Sequence, residues 1–253
     1  MDDISGHRNL DQTGQHYMID KRLIKFIVDE AALSSTDIVL EIGSGHGELT
    51  RALVRKCHVI AIDIEHGLEF ISPRLKILKG NILDHIDDIS FTKIVSNIPY
   101  NISEPLFRKL FRKDFDLCIL TMGENFAELL THNKSRIGIL ANHFYDIEIL
   151  KIIKPKSFFP QPRIDSCIVR IEPKSLDDLD KLGAIYKELL ILDDKKIKNA
   201  LEKILGEIHN LSKRTLKGHI ISHNIESIVE KKIYQLSNKE FLELDGFLKK
   251  IVK

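Results

Sequence analysis

The sequence predicts an α/β domain with a doubly wound, mostly parallel sheet, followed by a small all-helical domain. Two observations carry this prediction. Short apolar runs alternate with helically spaced segments from about residue 20 to 172, and strand-like runs stop after EPKSLDD (172–178). The 253 residues suffice for one α/β domain and a smaller second one. The division is drawn as 1–174 and 175–253.

The runs DIVLEI (37–42), CHVIAID (57–63), LKILKG (75–80), KIVSN (93–97) and DLCILTM (116–122) read as buried parallel strands. Between them, 48–56 and 104–113 place apolar residues at helical spacing. That βαβ alternation requires helices on both faces of one open sheet. The later runs IEILKII (147–153) and SCIVRI (166–171) read as an antiparallel pair closing the sheet edge. In the tail, 177–192, 194–206, 212–222, 225–234 and 238–252 read as helices, and Ser237 with Glu240 has capping-box spacing.

Composition narrows the function. Lys+Arg is 38 and Asp+Glu 37, so no whole-protein field draws a polyanion, and any nucleic-acid contact must come from local patches. No apolar run reaches the length of a membrane span. The polar start MDDISGHRNLDQ lacks a signal core, so a cytoplasmic location is expected. Cys57, Cys118 and Cys167 each sit in or beside an apolar run without a CxxC pair, and read as buried, reduced thiols. No metal site is expected.

The chemistry collects at strand ends. In EIGSGHGELT (41–50), Gly43, Gly45 and Gly47 form a GxGxG turn between strand and helix, where the backbone must turn tightly and approach a ligand. Asp63 ends the second strand, placed to accept from ribose hydroxyls. Asn81 follows the third strand and can read an adenine edge. NAD, FAD and S-adenosylmethionine all use such a site. GxGxG differs from the dinucleotide form GxGxxG, which favours a methyl donor over a pyrophosphate.

The fourth strand ends in NIPYNIS (97–103). The Asn97 side-chain carbonyl and the Ile98 backbone carbonyl are suitable acceptors for the hydrogens of an exocyclic amine. Pro99 stiffens the turn that aims them, and Tyr100 offers a face for a base. Such a task is positioning and preorganisation, so no nucleophile or metal is required. FFPQPRIDS (158–166) supplies a second aromatic, Phe158, to sandwich an extruded base. On helix 104–113, Ser103 reads as N-cap and Pro105 as a first-turn residue. Arg108, Lys109, Arg112 and Lys113 form its polar face, read either as a phosphate-contacting patch or as a solvated face.

GQHYMID (14–20), EIGSGHGELT, GNIL (80–83), NIPYNISEPL (97–106), ENFAELL (124–130) and FFPQPRIDSCIVRI (158–171) stand in the order of the KsgA-type rRNA adenine dimethyltransferases, which the chain resembles closely over about 9–172. KKIKNAL (195–201) and LSNKEFLEL (236–244) extend the likeness more weakly. The short tail looks most like archaeal members. The resemblance implies a Rossmann-like class I methyltransferase sheet with an antiparallel edge hairpin and S-adenosyl-L-methionine as cofactor. It also implies dimethylation of two adjacent adenosines near the 3′ end of small-subunit rRNA, during subunit maturation. Cofactor contacts carry over to Gln15, His16, Met18, Gly43, Gly45, Asp63, Asn81, Ile82 and Asn97. The implied partner is small-subunit rRNA or a pre-small-subunit particle, and the protein is expected to act as a monomer.

The chain departs from the family pattern at four places. Asn81 stands where Asp is usual, and Asp63 where Glu is usual. Leu129 replaces an Arg, and DDKKIKNAL (193–201) is less basic than its counterparts. The last two remove charge where RNA is expected, so they bear on RNA contacts more than on chemistry. Resistance-type Erm enzymes, which act on large-subunit rRNA, share NIPYNIS; Glu104-Pro105 and the tail favour the KsgA type. A non-catalytic assembly factor is the alternative from another class, and the intact Asn97–Tyr100 motif argues against it. An NAD-dependent oxidoreductase would need acid–base residues that are not apparent.

Overall fold

The computed structural model describes residues 16–65, 68, 70–175, 179–209 and 211–252. The chain divides into two compact units, Met1–Glu128 with Asp146–Pro173, and Leu129–Tyr145 with Lys174–Lys253. The segment Leu129–Tyr145, assigned to the first domain from sequence, groups with the second unit.

The first unit is built on a sheet. Its strands are β2 (Ile38–Ile42), β3 (His58–Asp63), β4 (Leu75–Lys79), β5 (Lys93–Asn97), β6 (Leu117–Gly123), β7 (Tyr145–Ile153) and β9 (Ser166–Pro173), in the order β4-β3-β2-β5-β6-β9-β7. Strands β4 to β6 are mutually parallel, and β9 runs antiparallel to β6. Two further short strands, β1 (Tyr17–Met18) and β8 (Phe158–Phe159), form a separate antiparallel ribbon. The order reverses between β2 and β5, and in open α/β sheets such a switch point opens a crevice at the carboxyl ends of the strands.

Alternation decides what each strand buries. Val39, Val59, Ala61, Val95, Ile119 and Ile168 share a core with Leu23, Ile24, Ile27 and Val28 of α1 (Lys21–Glu30) and with Leu49 and Leu53 of α2 (Glu48–Leu53). Intervening residues such as Leu40, Ile94 and Leu120 face the other way and are equally buried. α3 (Ile82–His85) packs beside α4 (Ser103–Leu110), whose Leu106, Phe107 and Leu110 are buried. β4, expected to be buried, is the edge strand; with one neighbour it is only half covered, and Lys76 and Lys79 are exposed.

The second unit is helical. α5 (Glu124–Thr131) leads into it, and α6 (Arg136–Phe144), α7 (Lys181–Ile191), α8 (Ile197–His209), α9 (Lys213–Ser222), α10 (Glu226–Val229) and α11 (Asn238–Ile251) build it. Ser237 and Glu240 form the expected capping box on α11. The expected helix 225–234 is not continuous. Ile197 donates its amide to the Lys231 carbonyl, and Lys232 bridges Lys196 in extended conformation, so α10 stops and a 3-10 turn follows. Within this core the Tyr186 hydroxyl donates to buried Asp245 at 2.9 Å, and Lys249 pairs with the same carboxylate at 2.7 Å. No helix among the described residues is long and apolar enough to cross a membrane. All three cysteines are free and buried.

Candidate active site

The crevice is lined by His16, Tyr17, Gly43, Gly45, Asp63, Asn81, Ile82 and the segment Asn97–Ile102. Its floor is the glycine turn after β2. Gly43, Gly45 and Gly47 all hold positive φ, at 75°, 51° and 85°. A Cβ on Gly45 would stand 2.6 Å from the Tyr17 ring, and one on Gly43 3.2 Å from Pro99 Cδ. Tyr17 thus lies directly over the turn, and its ring lies against His46 at a tilt of 38°, with centroids 4.6 Å apart.

Asp63 ties the two strand ends together. Its carboxylate accepts from the Gly45 amide at 2.8 Å and from the Glu65 amide at 3.0 Å. Asn81 caps α3, its side-chain oxygen accepting from the Leu83 amide at 3.1 Å. The carbonyl expected to read an adenine amine is therefore already half engaged; its second lone pair remains for a ligand.

Asn97 closes β5. Its Nδ2 donates to the His16 backbone carbonyl at 2.7 Å, which fixes the amide's orientation, because a carbonyl can only accept. The opposite atom, Oδ1, is buried and has no hydrogen-bond partner. Ile98 is 1% exposed, so its contribution to the crevice is backbone. Tyr100 is anchored at its hydroxyl by the buried Ser166 Oγ, and its ring lies 5.3 Å from His16. Burial raises the Tyr100 pKa, so the phenol stays neutral. His16 in turn bonds the Pro160 carbonyl at 2.9 Å.

Two sequence expectations are corrected at this point. Phe158 is 1% exposed and lies in the core beneath the ribbon, so it offers no open face to a base. Strand alternation turns its neighbour Phe159 outward instead, 60% exposed and opposite Tyr17. Ser103 does not cap α4. A 3-10 turn, Tyr100–Ile102, runs straight into the helix, so Ser103 is already helical and its buried hydroxyl has no partner. Met18 misses the main crevice and lines a small adjoining hollow with Glu41, Ser44, Glu48 and Asn97. Gln15 lies outside the described residues.

The most consequential residue that sequence reasoning passed over is Glu41. It is 2% exposed inside β2, and its Oε2 has no hydrogen-bond partner. Burial pushes its carboxyl up to about 8, with Asp63 and Glu48 adding to the rise and Thr50 opposing it. A strand acid directly before a glycine turn was a legible signal for such a group. Tyr17, and Ile64 which also lines the crevice, carried none, since their positions there depend on the fold.

A family model described as ribosomal RNA adenine dimethylase matches residues 6–245. The chain belongs to that family. Membership makes it an rRNA adenine dimethyltransferase rather than a dinucleotide-dependent oxidoreductase. A Methanopyrus kandleri protein named "Probable ribosomal RNA small subunit methyltransferase A" is 35% identical over 214 residues, covering 78% of this chain and 77% of its own. A Methanococcoides burtonii protein of the same name is 32% identical over 254 residues, covering 94% and 92%. Among solved structures, a dimethyladenosine transferase from Plasmodium falciparum superposes with a TM-score of 0.62 at 24% identity, over 93% of this chain and 98% of that one. The 23S rRNA methyltransferase ErmE superposes with a TM-score of 0.56 at 17% identity, over 92% and 99%. Both share the fold of this dimethyltransferase.

The dimethyltransferase's expected basic face on α4 is largely engaged internally. Arg108 pairs with Glu104 at 2.6 Å and Lys109 with Asp87 at 2.5 Å. Lys113 donates to the Asp87 and Ile89 carbonyls at 3.3 Å. In the helical unit Lys196 and Lys198 both pair with Glu230, and Lys231 pairs with Glu240 at 2.5 Å. Leu129, where the family pattern has Arg, is half-buried.

Proposed function

We propose that the protein transfers methyl groups from S-adenosylmethionine to the exocyclic amine of two adjacent adenosines near the 3′ end of small-subunit rRNA. The observation that carries this is the Asn97 side-chain oxygen, buried without a partner at the mouth of a glycine-floored crevice. A buried acceptor left unpaired costs about 1–3 kcal/mol, so it stands ready for a donor that arrives with a ligand.

The residues fit the methyl donor. The positive-φ glycines leave room no Cβ could share, Asp63 and Asn81 retain acceptor capacity, and Glu41 offers an unpaired carboxylate oxygen in the adjoining hollow. Gly43, Gly45, Asp63, Asn81 and Ile82 would hold the nucleoside half, and Glu41 the ammonium of the amino-acid half. When bound, the donor supplies an electrophilic methyl group on sulfur.

The protein's own part is positioning. An adenine amine is a weak nucleophile because its lone pair is delocalised into the ring. Asn97 Oδ1 and the Ile98 carbonyl accept the amine's hydrogens and favour a pyramidal nitrogen. Tyr100, held by Ser166, keeps its ring fixed as a wall for the base. Such preorganised acceptors act where water is excluded, and removing one typically costs about 10²–10³ in rate.

The small subunit is favoured over the large because the curated relatives that span both units carry the small-subunit name. The deciding assay offers labelled S-adenosylmethionine with purified small and large subunits that lack adenine dimethylation, followed by nucleoside analysis. Dimethyladenosine in the small subunit alone is expected. Label confined to the large subunit would assign the enzyme to the other target, and binding without transfer would make it an assembly factor.

A further inference from the structure

While the cations of α4 are largely paired, a second basic surface holds two lysines that are not. It is a hollow between the start of α1 and the connection from β7 to β8, lined by Arg22, Lys151, Ile152, Lys154, Lys156 and Ser157. Lys151 lies over the Phe26 ring, 5.0 Å from its centroid, and neither it nor Lys156 makes an ion pair among the described residues. Lys154 pairs with Asp165 but is 67% exposed. Asp20 also lines the hollow, and its carboxylate is engaged by the Arg22 side chain at 3.3 Å and the Arg22 amide at 3.0 Å. The lining is therefore net positive.

The hollow and the crevice share one structural element. His16 and Tyr17, at one end of the β1–β8 ribbon, line the crevice. At the other end the Ile19 amide donates to the Ser157 carbonyl at 3.0 Å, and Ser157 lines the hollow. Only Met18 and Ile19 lie between Tyr17 and Asp20, three steps of extended chain or about 10 Å. Phe159 lies opposite Tyr17 in register, two residues along the chain from Ser157, and is 60% exposed, while Ile152 in the hollow is 54% exposed. Cations in a groove beside an exposed aromatic ring form the pattern that holds single-stranded nucleic acid: phosphates on the charges, a base on the ring.

We propose that this ribbon and hollow bind the single-stranded RNA segment flanking the target adenosine, with Lys151, Lys154, Lys156 and Arg22 on its phosphates and Phe159 stacking a neighbouring base. The inference rests on the RNA substrate proposed above. It assigns the strand-holding surface to the catalytic unit, on residues that neither the glycine crevice nor α4 uses.

The test measures binding of a labelled RNA hairpin whose loop holds two adjacent adenosines, across a salt series. Lys151→Gln with Lys156→Gln should lower the slope of log affinity against log salt by about 1.4, two contacts at roughly 0.7 each for a single strand. Phe159→Ser should weaken hairpin binding about 5- to 150-fold, in line with roughly 1–3 kcal/mol per stacked base, and leave the slope and a fully duplex RNA unaffected. S-adenosylmethionine binding should match wild type in both variants. An unchanged slope in the double Lys variant, with wild-type transfer to small subunits intact, overturns this surface and leaves the reaction standing. Weaker binding to assembled subunits alone, with the hairpin unaffected, would give the hollow to a ribosomal protein and overturn it equally. A wild-type protein that neither binds the hairpin nor methylates subunits would sink both readings together.

Discussion

Asn97 Nδ2 donates to the His16 carbonyl at 2.7 Å, and this one bond leaves Oδ1 as the unpartnered atom proposed to meet the substrate. The segment before α1 thereby orients the proposed acceptor at the end of β5. Asn97→Ala should lower kcat at least about 100-fold, since it removes an acceptor used mainly at the reacting nitrogen. Asn97→Asp keeps an acceptor but sets a carboxylate against the His16 carbonyl. It should lose activity too, and donor affinity as the segment shifts. Steady-state kinetics beside donor calorimetry separates the two; near-normal kcat in the alanine variant would refute the role given to Oδ1.

Gly45 carries the same argument on the cofactor side. Its φ is 51°, and a Cβ added there would meet Tyr17 Cε1 at 2.6 Å. Gly45→Ala must therefore displace the ring and hold a left-handed conformation that costs about 1 kcal/mol or more. Donor affinity should fall by more than about tenfold, while the melting temperature changes by only a few degrees. Unchanged affinity would mean Tyr17 does not cover the bound donor.

Glu41 predicts a pH signature. Its folded-state pKa of about 8 exceeds its ordinary value of 4.5, so between those values the native state holds a proton that the unfolded chain has released. The stabilisation is complete below pH 4.5 and declines as pH rises towards 8, by at most about 1.4 kcal/mol per unit. Glu41→Gln should flatten this decline in urea titrations at several pH values. Donor binding at neutral pH should also release a proton, visible as a buffer-dependent heat that the Gln variant lacks.

Asn81 tests the departure from the family pattern. An aspartate at this position would cap α3 as well as asparagine does, and both its oxygens accept. Asn81→Asp should therefore tighten donor binding about two- to fivefold, as measured by calorimetry, with no loss of stability. A weaker donor would show that the Nδ2 hydrogens of Asn81 serve the ligand.

Much of the candidate site was legible in the sequence because the residues lining the crevice sit where strands end. Glycines at a strand–helix turn, an acid closing the next strand and NIPY after the fourth are local signals, and βαβ order brings strand ends to one edge of a sheet. The two corrected residues failed for local reasons too. A two-residue strand decides which of two adjacent phenylalanines turns inward, and no period can be read from so short a run. A 3-10 turn that merges with α4 leaves Ser103 inside a helix it was expected to begin.

The sequence by itself determined the fold class, the succession of the main sheet strands, and the acceptor, glycine and acid positions from which the reaction is proposed. Periodicity and strand-end chemistry are properties of neighbours in the chain, so they survive without coordinates. The tertiary structure alone decided which atoms are left unpaired. Asn97 Oδ1 is orphaned only because His16, distant in sequence, takes the other end of the amide. Glu41 is raised only because the sheet and its two acidic neighbours surround it. Lys109 is paired by Asp87 from another element and Arg108 by Glu104 one turn away, while Lys151 and Lys156 make no ion pair among the described residues. Hydrogen-bond partners, burial and charge compensation depend on what folding brings close, and separation along the chain does not encode them.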